Sequence, residues 1–348
     1  MEKKIGVLGG GSWGSALAIL LANKNYQVDM WMRRKDQIEE IRETGFNKKY
    51  LPHALFPDNL NVSDDMEKTI SGKDIILISV PTHGVREVLN IAKQYIEKDQ
   101  IIVNVSKGIE TESLLRISEI VEEILPENKY AMLSGPSHAE EVAKNMATTV
   151  VSASRDKRVA EYIQDVFMTP TFRVYTNPDV IGVELGGSIK NVIALAAGIS
   201  DGLNYGDNTK AAIMTRGIFE MSKLGVAMGA KAETFSGLAG IGDLIVTCTS
   251  MHSRNRRAGI LIGEGKSMEE AVEIVGMVVE GIKTTKSVYN LSREYKIDMP
   301  ITRELYNVLY NGEDVSESVS NLMLRDKKHE MENIVVLNEE MEDRKSVV

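Results

Sequence analysis

The feature that most narrows what this chain can become lies near its start. Gly9-x-Gly11-x-x-Gly14 sits between an apolar run beginning at Lys4 and a stretch whose apolar positions include Leu17, Leu20 and Leu21. Glycines at that spacing, closing a strand and opening a helix, permit a tight turn, close backbone approach to a bound group and close helix–sheet packing. The helix N-terminus that follows attracts negative charge, so the expected guest is the pyrophosphate of a dinucleotide. Gly9, Gly11, Ser12, Trp13 and Gly14 form the expected cradle. The plainer alternative is a glycine turn that binds nothing.

About 20 residues beyond such a turn, an acidic residue would take the ribose 2′-hydroxyl of NAD, whereas arginine accepts the 2′-phosphate of NADP. Arg33 and Arg34 stand there, and Asp29 comes too early. The sequence therefore points to NADP(H), or to tolerance of both NADP(H) and NAD(H). Two solvated arginines in a turn would look the same.

Short β-rich runs recur at 4–9, 27–32, 74–80, 100–105, 130–133, 148–152 and 171–175, with helical stretches such as 12–24 and 112–124 between them. Continuous apolar runs like Ile75-Ile76-Leu77-Ile78 mark strands buried on both faces, as in a parallel sheet covered by helices. Asn177-Pro178-Asp179 reads as a helix N-cap with proline in the first turn. After it only helical patterns follow, near 179–199, 208–228, 254–263, 267–275, 280–295, 300–310 and 315–325. The expected fold is α/β: a Rossmann-type, doubly wound, mainly parallel sheet over residues 1–180, then an all-α domain over 181–330. The Glu- and Lys-rich residues 331–348 read as a frayed tail.

The chain's 41 basic and 50 acidic residues leave a net charge of −9, which repels nucleic acid and anionic lipid. Neither a nucleic-acid partner nor stable membrane association is expected, and an anionic ligand needs a local basic site. Cys248 is the single cysteine, so no internal disulfide forms and a cytoplasmic setting is the default. Met1-Glu2-Lys3-Lys4 ahead of an apolar stretch resembles an export signal superficially, but the glycine turn interrupts it. No apolar run elsewhere reaches the ~18 residues a bilayer requires. His53, His83, His138, His252 and His329 lack the pairwise spacing of a zinc site, so no metal is expected.

Lys107 follows the run ending at Val105, at the carboxyl end of a strand, where open α/β sheets hold ligands. By itself it also fits an exposed turn. In Ser134-Gly135-Pro136-Ser137-His138-Ala139-Glu140, Ser137 and Glu140 fit a capping box. Lys190 shares a helix face with Val183, Gly186, Gly187, Ala194 and Ala197, small residues that leave a ligand room; desolvation there would lower its pKa toward the range of proton transfer. Glu184 lies about 120° away and is not its partner, and a snorkelling lysine at a domain seam is the alternative. The Gly237 to Asp243 loop reads as a flexible turn with Asp243 as an N-cap, or with Asp243 orienting a lysine. In Ser253-Arg254-Asn255-Arg256-Arg257, Ser253 reads as an N-cap and three arginines crowd a first turn, where cations oppose the helix dipole unless an anion sits on the free N–H groups. A solvated basic patch is the alternative.

Gly9-Gly10-Gly11-Ser12-Trp13-Gly14, Val105-Ser106-Lys107-Gly108-Ile109-Glu110, Leu133-Ser134-Gly135-Pro136-Ser137, Leu185-Gly186-Gly187-Ser188-Ile189-Lys190-Asn191, Gly240-Ile241-Gly242-Asp243-Leu244 and Thr247-Cys248-Thr249 through Ser253-Arg254-Asn255 together closely resemble the bacterial NAD(P)-dependent glycerol-3-phosphate dehydrogenases. The resemblance covers about residues 3 to 328. It implies interconversion of sn-glycerol 3-phosphate and dihydroxyacetone phosphate in the cytoplasm, supplying phospholipid synthesis, by a homodimer. It implies a dinucleotide on Ser12, Trp13, Arg33, Lys107, Ala139, Arg254, Val278 and Glu280, with Arg34 and Tyr50 as adjuncts. It implies a small phosphorylated substrate on Lys107, Gly135, Ser137, Lys190, Asp243, Ser253, Arg254 and Asn255. Lys190 would then move the proton, Lys107 would polarise the carbonyl oxygen and Asp243 would orient Lys190.

Overall fold

Branched apolar runs become the strands of one sheet in a computed structural model that describes residues 3–327 and 330. The tail expected at 331–348 lies outside the described residues. In chain order the first half runs β1 (Lys4–Leu8), α1 (Ser12–Ala22), β2 (Gln27–Trp31), α2 (Lys35–Thr44), β3 (Phe46–Asn47), β4 (Leu51–Leu55), β5 (Leu60–Ser63), α3 (Met66–Ile70), β6 (Ile75–Ile78), α4 (Val85–Ala92), β7 (Ile101–Asn104), α5 (Ile117–Ile124), β8 (Tyr130–Ser134), α6 (Ala139–Val142), β9 (Thr148–Ala153), α7 (Lys157–Phe167) and β10 (Phe172–Asn177). The second half runs α8 (Val180–Gly202), α9 (Gly206–Ala227), α10 (Ala232–Phe235), α11 (Asp243–Thr249), α12 (Arg254–Gly263), α13 (Met268–Val275), α14 (Glu280–Glu294), α15 (Pro300–Tyr306) and α16 (Val315–Met323). A π-helical segment, Leu238–Gly242, leads into α11, and another, Asn307–Asn311, extends α15.

The large sheet has the order β10-β9-β8-β7-β6-β1-β2-β5, parallel throughout except where β8 meets β9. Strand β1 lies between β6 and β2, so the winding reverses there and the carboxyl ends of β1, β6 and β7 open one crevice. Two apolar layers cover the faces, one around Leu17, Leu21 and Phe167, the other around Val85, Leu89 and Ile120. Each of the seven strand runs expected from the sequence forms. The segment Phe46–Ser63 adds β3, β4 and β5, which the pattern does not reveal: Pro52 interrupts β4, and β3 is a two-residue partner in a small antiparallel pair. The helix expected from residue 112 begins at Ile117, because Ile109 pairs with Arg116 as an antiparallel bridge and Leu114 turns at φ +61°.

Asp179, and not Asn177, caps α8: its carboxylate accepts from the Gly182 N–H at 2.9 Å, so Pro178 stands before the helix and outside its first turn. Helix α8 is long and apolar enough to cross a membrane by composition, contrary to the expectation that no such run exists. It is instead the buried axis of the helical half, with Leu185, Ile189, Val192, Ile193 and Leu195 fully enclosed. Glycine lets α12 lie directly against it. A Cβ on Gly198 would come 2.2 Å from the Arg256 carbonyl oxygen, and one on Gly259 2.2 Å from that of Leu195.

The two halves are locked by Glu184 of α8, which is 3% exposed. Its carboxylate accepts from Arg116 Nη1 at 2.8 Å, Ser118 N at 2.8 Å, Ser118 Oγ at 2.5 Å and Tyr130 Oη at 2.7 Å. All four donors belong to the sheet half, and α5 presents its N-terminus to the charge. Because Arg116 is also buried, Glu184→Ala leaves that cation with only the partly exposed Glu119 carboxylate, 2.7 Å from its Nη2, as counter-charge and is expected to cost about 3 kcal/mol. Urea denaturation of that variant, beside the Arg116→Met/Glu184→Leu double replacement, checks this: the double variant should be the more stable of the two.

Candidate active site

The carboxyl end of β7 delivers Lys107 to the crevice, and α8 carries Lys190 toward it from the helical half. Asp243 lies between them. Lys107 Nζ donates to Asp243 Oδ2 at 2.6 Å and to the Gly135 carbonyl at 3.1 Å. Lys190 Nζ donates to Asp243 Oδ1 and, at 2.9 Å, to Thr247 Oγ1. Asp243 is thus the bridge between two ammonium groups and not an N-cap, since it is the first residue of α11 in a continuous winding from the π-helical segment. That winding requires glycine at 240, where a Cβ would meet the Phe235 carbonyl oxygen at 2.0 Å. The small residues beside Lys190 leave no open face. Gly186 admits the Ala239 carbonyl, and Gly187 admits the Ser134 and Lys107 side chains.

Burial is the strongest influence on Lys190, and with the Lys107 ammonium it pushes the amine down to about 7, against the upward pull of Asp243. Burial alone would raise the Asp243 carboxyl, yet the Lys107 and Lys190 charges outweigh it and hold it below the usual carboxylate range. An ionised carboxylate therefore holds an amine that gains or loses a proton near neutrality. His138 also lies within electrostatic reach; burial, then Lys190, keeps its imidazole below the usual histidine range.

Ser253 caps α12 as expected, its Oγ accepting from Arg256 N at 3.2 Å. The three arginines divide. Arg256 turns away to Asp201 at 2.8 Å and the Thr249 carbonyl at 2.9 Å, which corrects the expectation of a three-arginine patch. Arg254 makes no ion pair among the described residues, and burial lowers its pKa while Glu280 and Glu140 pull the other way. Arg257 Nε is buried without a hydrogen-bond partner among the described residues. Both ends of the Asn255 side chain are held, Nδ2 by Asn191 Oδ1 at 2.9 Å and Oδ1 by the Gly281 N–H at 2.8 Å.

At the glycine turn, Gly9 has φ +116° and a Cβ there would strike the Ser79 carbonyl. A Cβ on Gly11 would meet nothing within 4 Å, so space opens directly above the turn. Helix α1 has neither a side-chain cap nor an acidic residue in its first turn, whereas α3, α7, α8, α12, α13 and α16 are each capped by Asp or Ser. Trp13 Nε1 and Thr82 Oγ1 are buried without hydrogen-bond partners among the described residues. These residues fit a dinucleotide pyrophosphate. Arg33 is exposed just past β2. Arg34 is engaged by Asp36, Nε to Oδ1 at 3.1 Å. Tyr50 lies half-buried within electrostatic reach of Arg34 and Arg254.

Gly135 ends β8 at φ +141°. Ser137 Oγ donates to its carbonyl at 2.8 Å, so the expected capping box with Glu140 does not form and His138 holds the cap position of α6. Ala139 begins that short helix, and Val278 is half-buried shortly before α14. Glu280, first in α14, accepts from the Thr82 N–H at 3.2 Å across the crevice. No role is assigned from the sequence to Thr247 or Asn191, which stand within the motifs quoted there, or to Thr82. Thr247 stands four residues past Asp243, a relation that is visible only once 243–249 is read as a helix.

The fold and this cluster define a two-part nicotinamide-dinucleotide dehydrogenase. The model of the NAD-dependent glycerol-3-phosphate dehydrogenase N-terminus matches residues 4–160, and that of the C-terminus matches residues 179–320. Glycerol-3-phosphate dehydrogenase (NAD(P)+) of Thermoanaerobacter sp. (strain X514) is 55% identical over 331 residues, covering 95% of this chain and 100% of its own. The protein of that name from Bacillus subtilis (strain 168) is 53% identical over 336 residues, covering 96% of this chain and 97% of its own. The crystal structure of glycerol-3-phosphate dehydrogenase from Coxiella burnetii superposes with a TM-score of 0.91 at 40% identity, covering 93% of this chain and 99% of its own. This chain belongs to the NAD-dependent glycerol-3-phosphate dehydrogenase family.

A proton-transfer role for Lys190, whose amine is pushed down to about 7, predicts that alcohol oxidation rises with pH and levels off above about pH 7. Ketone reduction, which needs it protonated, should be flat below that value and fall above it. The pH profiles of kcat in both directions check this, and the midpoint belongs to the coupled cluster as a whole.

Proposed function

We propose that the chain interconverts sn-glycerol 3-phosphate and dihydroxyacetone phosphate with NAD(P)(H). The observation that carries this reading is the buried carboxylate shared by Lys107 and Lys190 at the carboxyl end of β7. When bound, the nicotinamide cofactor supplies or accepts the hydride at the substrate's C2. In the reducing direction the Lys190 ammonium gives a proton to the C2 oxygen, and in the oxidising direction its neutral amine takes the hydroxyl proton. Lys107 lies beside the same carboxylate and stabilises negative charge as it builds on that oxygen. Asp243 keeps both nitrogens aimed and remains ionised.

Arg254, with the backbone N–H groups at the start of α12, binds the substrate's phosphate, supported by its lack of an ion-pair partner among the described residues and its place beside the capped helix end. Gly135, Ser137, Ser253 and Asn255 shape the same pocket, Asn255 chiefly by holding α12 to α8 and α14. Gly9 to Gly14 take the pyrophosphate and Arg33 the 2′-phosphate, with Arg34 and Tyr50 near the adenine end; Ala139, Val278 and Glu280 close over the dinucleotide. Residues 1–180 and 181–330 act as cofactor and substrate domains. A cytoplasmic homodimer supplying phospholipid synthesis completes the reading, which rests on the likeness to the family.

Following NADPH absorbance on adding dihydroxyacetone phosphate tests the reaction, with unphosphorylated dihydroxyacetone as the comparison. Arg254→Ala should reduce kcat/KM for dihydroxyacetone phosphate by about 100-fold or more while leaving the slow reaction of dihydroxyacetone nearly unchanged. Equal losses on both would remove the phosphate assignment. Lys190→Ala should lower kcat by about a thousandfold with NADPH binding intact.

A further inference from the structure

The small β3–β4 pair, absent from the sequence pattern, delivers Asn47 to the underside of the glycine turn. Asn47 is 0% exposed and Gln37, from α2, is 8% exposed. Asn47 Nδ2 donates to the Gly10 carbonyl at 3.0 Å and to Ser15 Oγ at 3.0 Å. Gln37 Nε2 donates to the same Gly10 carbonyl at 3.1 Å and to Asn47 Oδ1 at 2.9 Å. Both carboxamides thus spend both of their N–H groups, and a single backbone oxygen receives two of the four bonds.

In a planar trans peptide the carbonyl and the following N–H point in opposite directions. Drawing the Gly10 carbonyl down onto Asn47 and Gln37 therefore turns the Gly11 N–H to the opposite side of the turn, away from the two carboxamides, at a residue where an added Cβ would meet nothing within 4 Å. Among the described residues no acceptor takes that N–H. Gly10 itself has no Cβ to restrict the peptide plane; one placed there would press on the flexible Met32 side chain, 2.3 Å from its Cε. The buried carboxamides set that plane. The Ser15 bond ties the same pair to the first turn of α1 and fixes the angle between the turn and its helix.

We propose that Asn47 and Gln37 are positioning residues for the cofactor: they orient the Gly10–Gly11 peptide so that its N–H meets the dinucleotide pyrophosphate without reorganisation on binding. This rests on the dinucleotide reading given above. It assigns to the β3–β4 insertion the task of presetting the turn, and it distinguishes the pyrophosphate end of the site, which depends on the pair, from the 2′-phosphate end at Arg33, which does not.

Equilibrium titration of the full-length protein with NADPH and, separately, with adenosine 2′-monophosphate, which lacks the pyrophosphate, tests the proposal. Asn47→Leu keeps the volume and removes both donors without adding charge. It should raise the Kd for NADPH about tenfold and change that for adenosine 2′-monophosphate by less than about twofold. Gln37→Met, removing one of the two bonds to Gly10, should give a smaller loss of about threefold with the same contrast, and it carries the comparison if Asn47→Leu does not fold. Unchanged NADPH affinity in the variants, or an equal loss for both ligands, overturns the proposal. Failure of the unaltered protein to bind NADPH would instead overturn the dinucleotide reading.

Discussion

One buried carboxylate shared by two lysines is the contact on which the crevice depends. Asp243 belongs to the helical half, Lys107 to the sheet half and Lys190 to the helix that joins them. Two ammonium groups at this depth repel each other and lose their hydration, a combination that no fold sustains without a counter-charge between them. Asp243 supplies that charge but cannot satisfy both cations fully. The balance leaves Lys190 able to change protonation near neutral pH while the carboxylate stays ionised. Proton-transfer capacity and cohesion of the two halves thus come from the same three side chains.

Helix α8 makes that meeting possible. Its N-terminal stretch is anchored to the sheet half by Glu184, its middle carries Lys190, and its C-terminal glycines accept α12 at backbone contact. Sliding α8 would at once break the four bonds of Glu184, misplace Lys190 and move the capped start of α12 on which Arg254 stands. The apolar composition that makes α8 resemble a membrane span is that of a helix enclosed all round by its own protein.

Much of this was legible in the residues alone, and what was not has identifiable causes. The seven main strands were readable because each is rich in β-branched, aromatic or other apolar residues, continuous in β6 and alternating with polar ones in β10, and α12 was readable to both its ends because Ser253 caps one and the pattern stops at Gly263. Glu184 was correctly excluded as the partner of Lys190 from helical angle. Asp243 was ambiguous because glycines at 237, 240 and 242 signal a turn, whereas here they bound and line a π-helical winding in which Gly240 is needed for close backbone approach. The three arginines after Ser253 looked equivalent, since nothing local shows that Asp201, more than fifty positions away, claims Arg256. Asn47 and Gln37 carried no signal, because a proline-interrupted pair of short strands brings Asn47 beneath the turn, where Gln37 meets it from α2.

The most direct test of the central claim is the pH dependence of turnover in Asp243→Asn. Asparagine keeps the shape and removes the charge that supports protonation of Lys190. The account predicts that the oxidation limb moves at least about one unit to lower pH and that ketone reduction at neutral pH falls about 100-fold, with NADPH still bound. A pH profile superimposable on that of the unaltered protein, with only thermal stability changed, would contradict it.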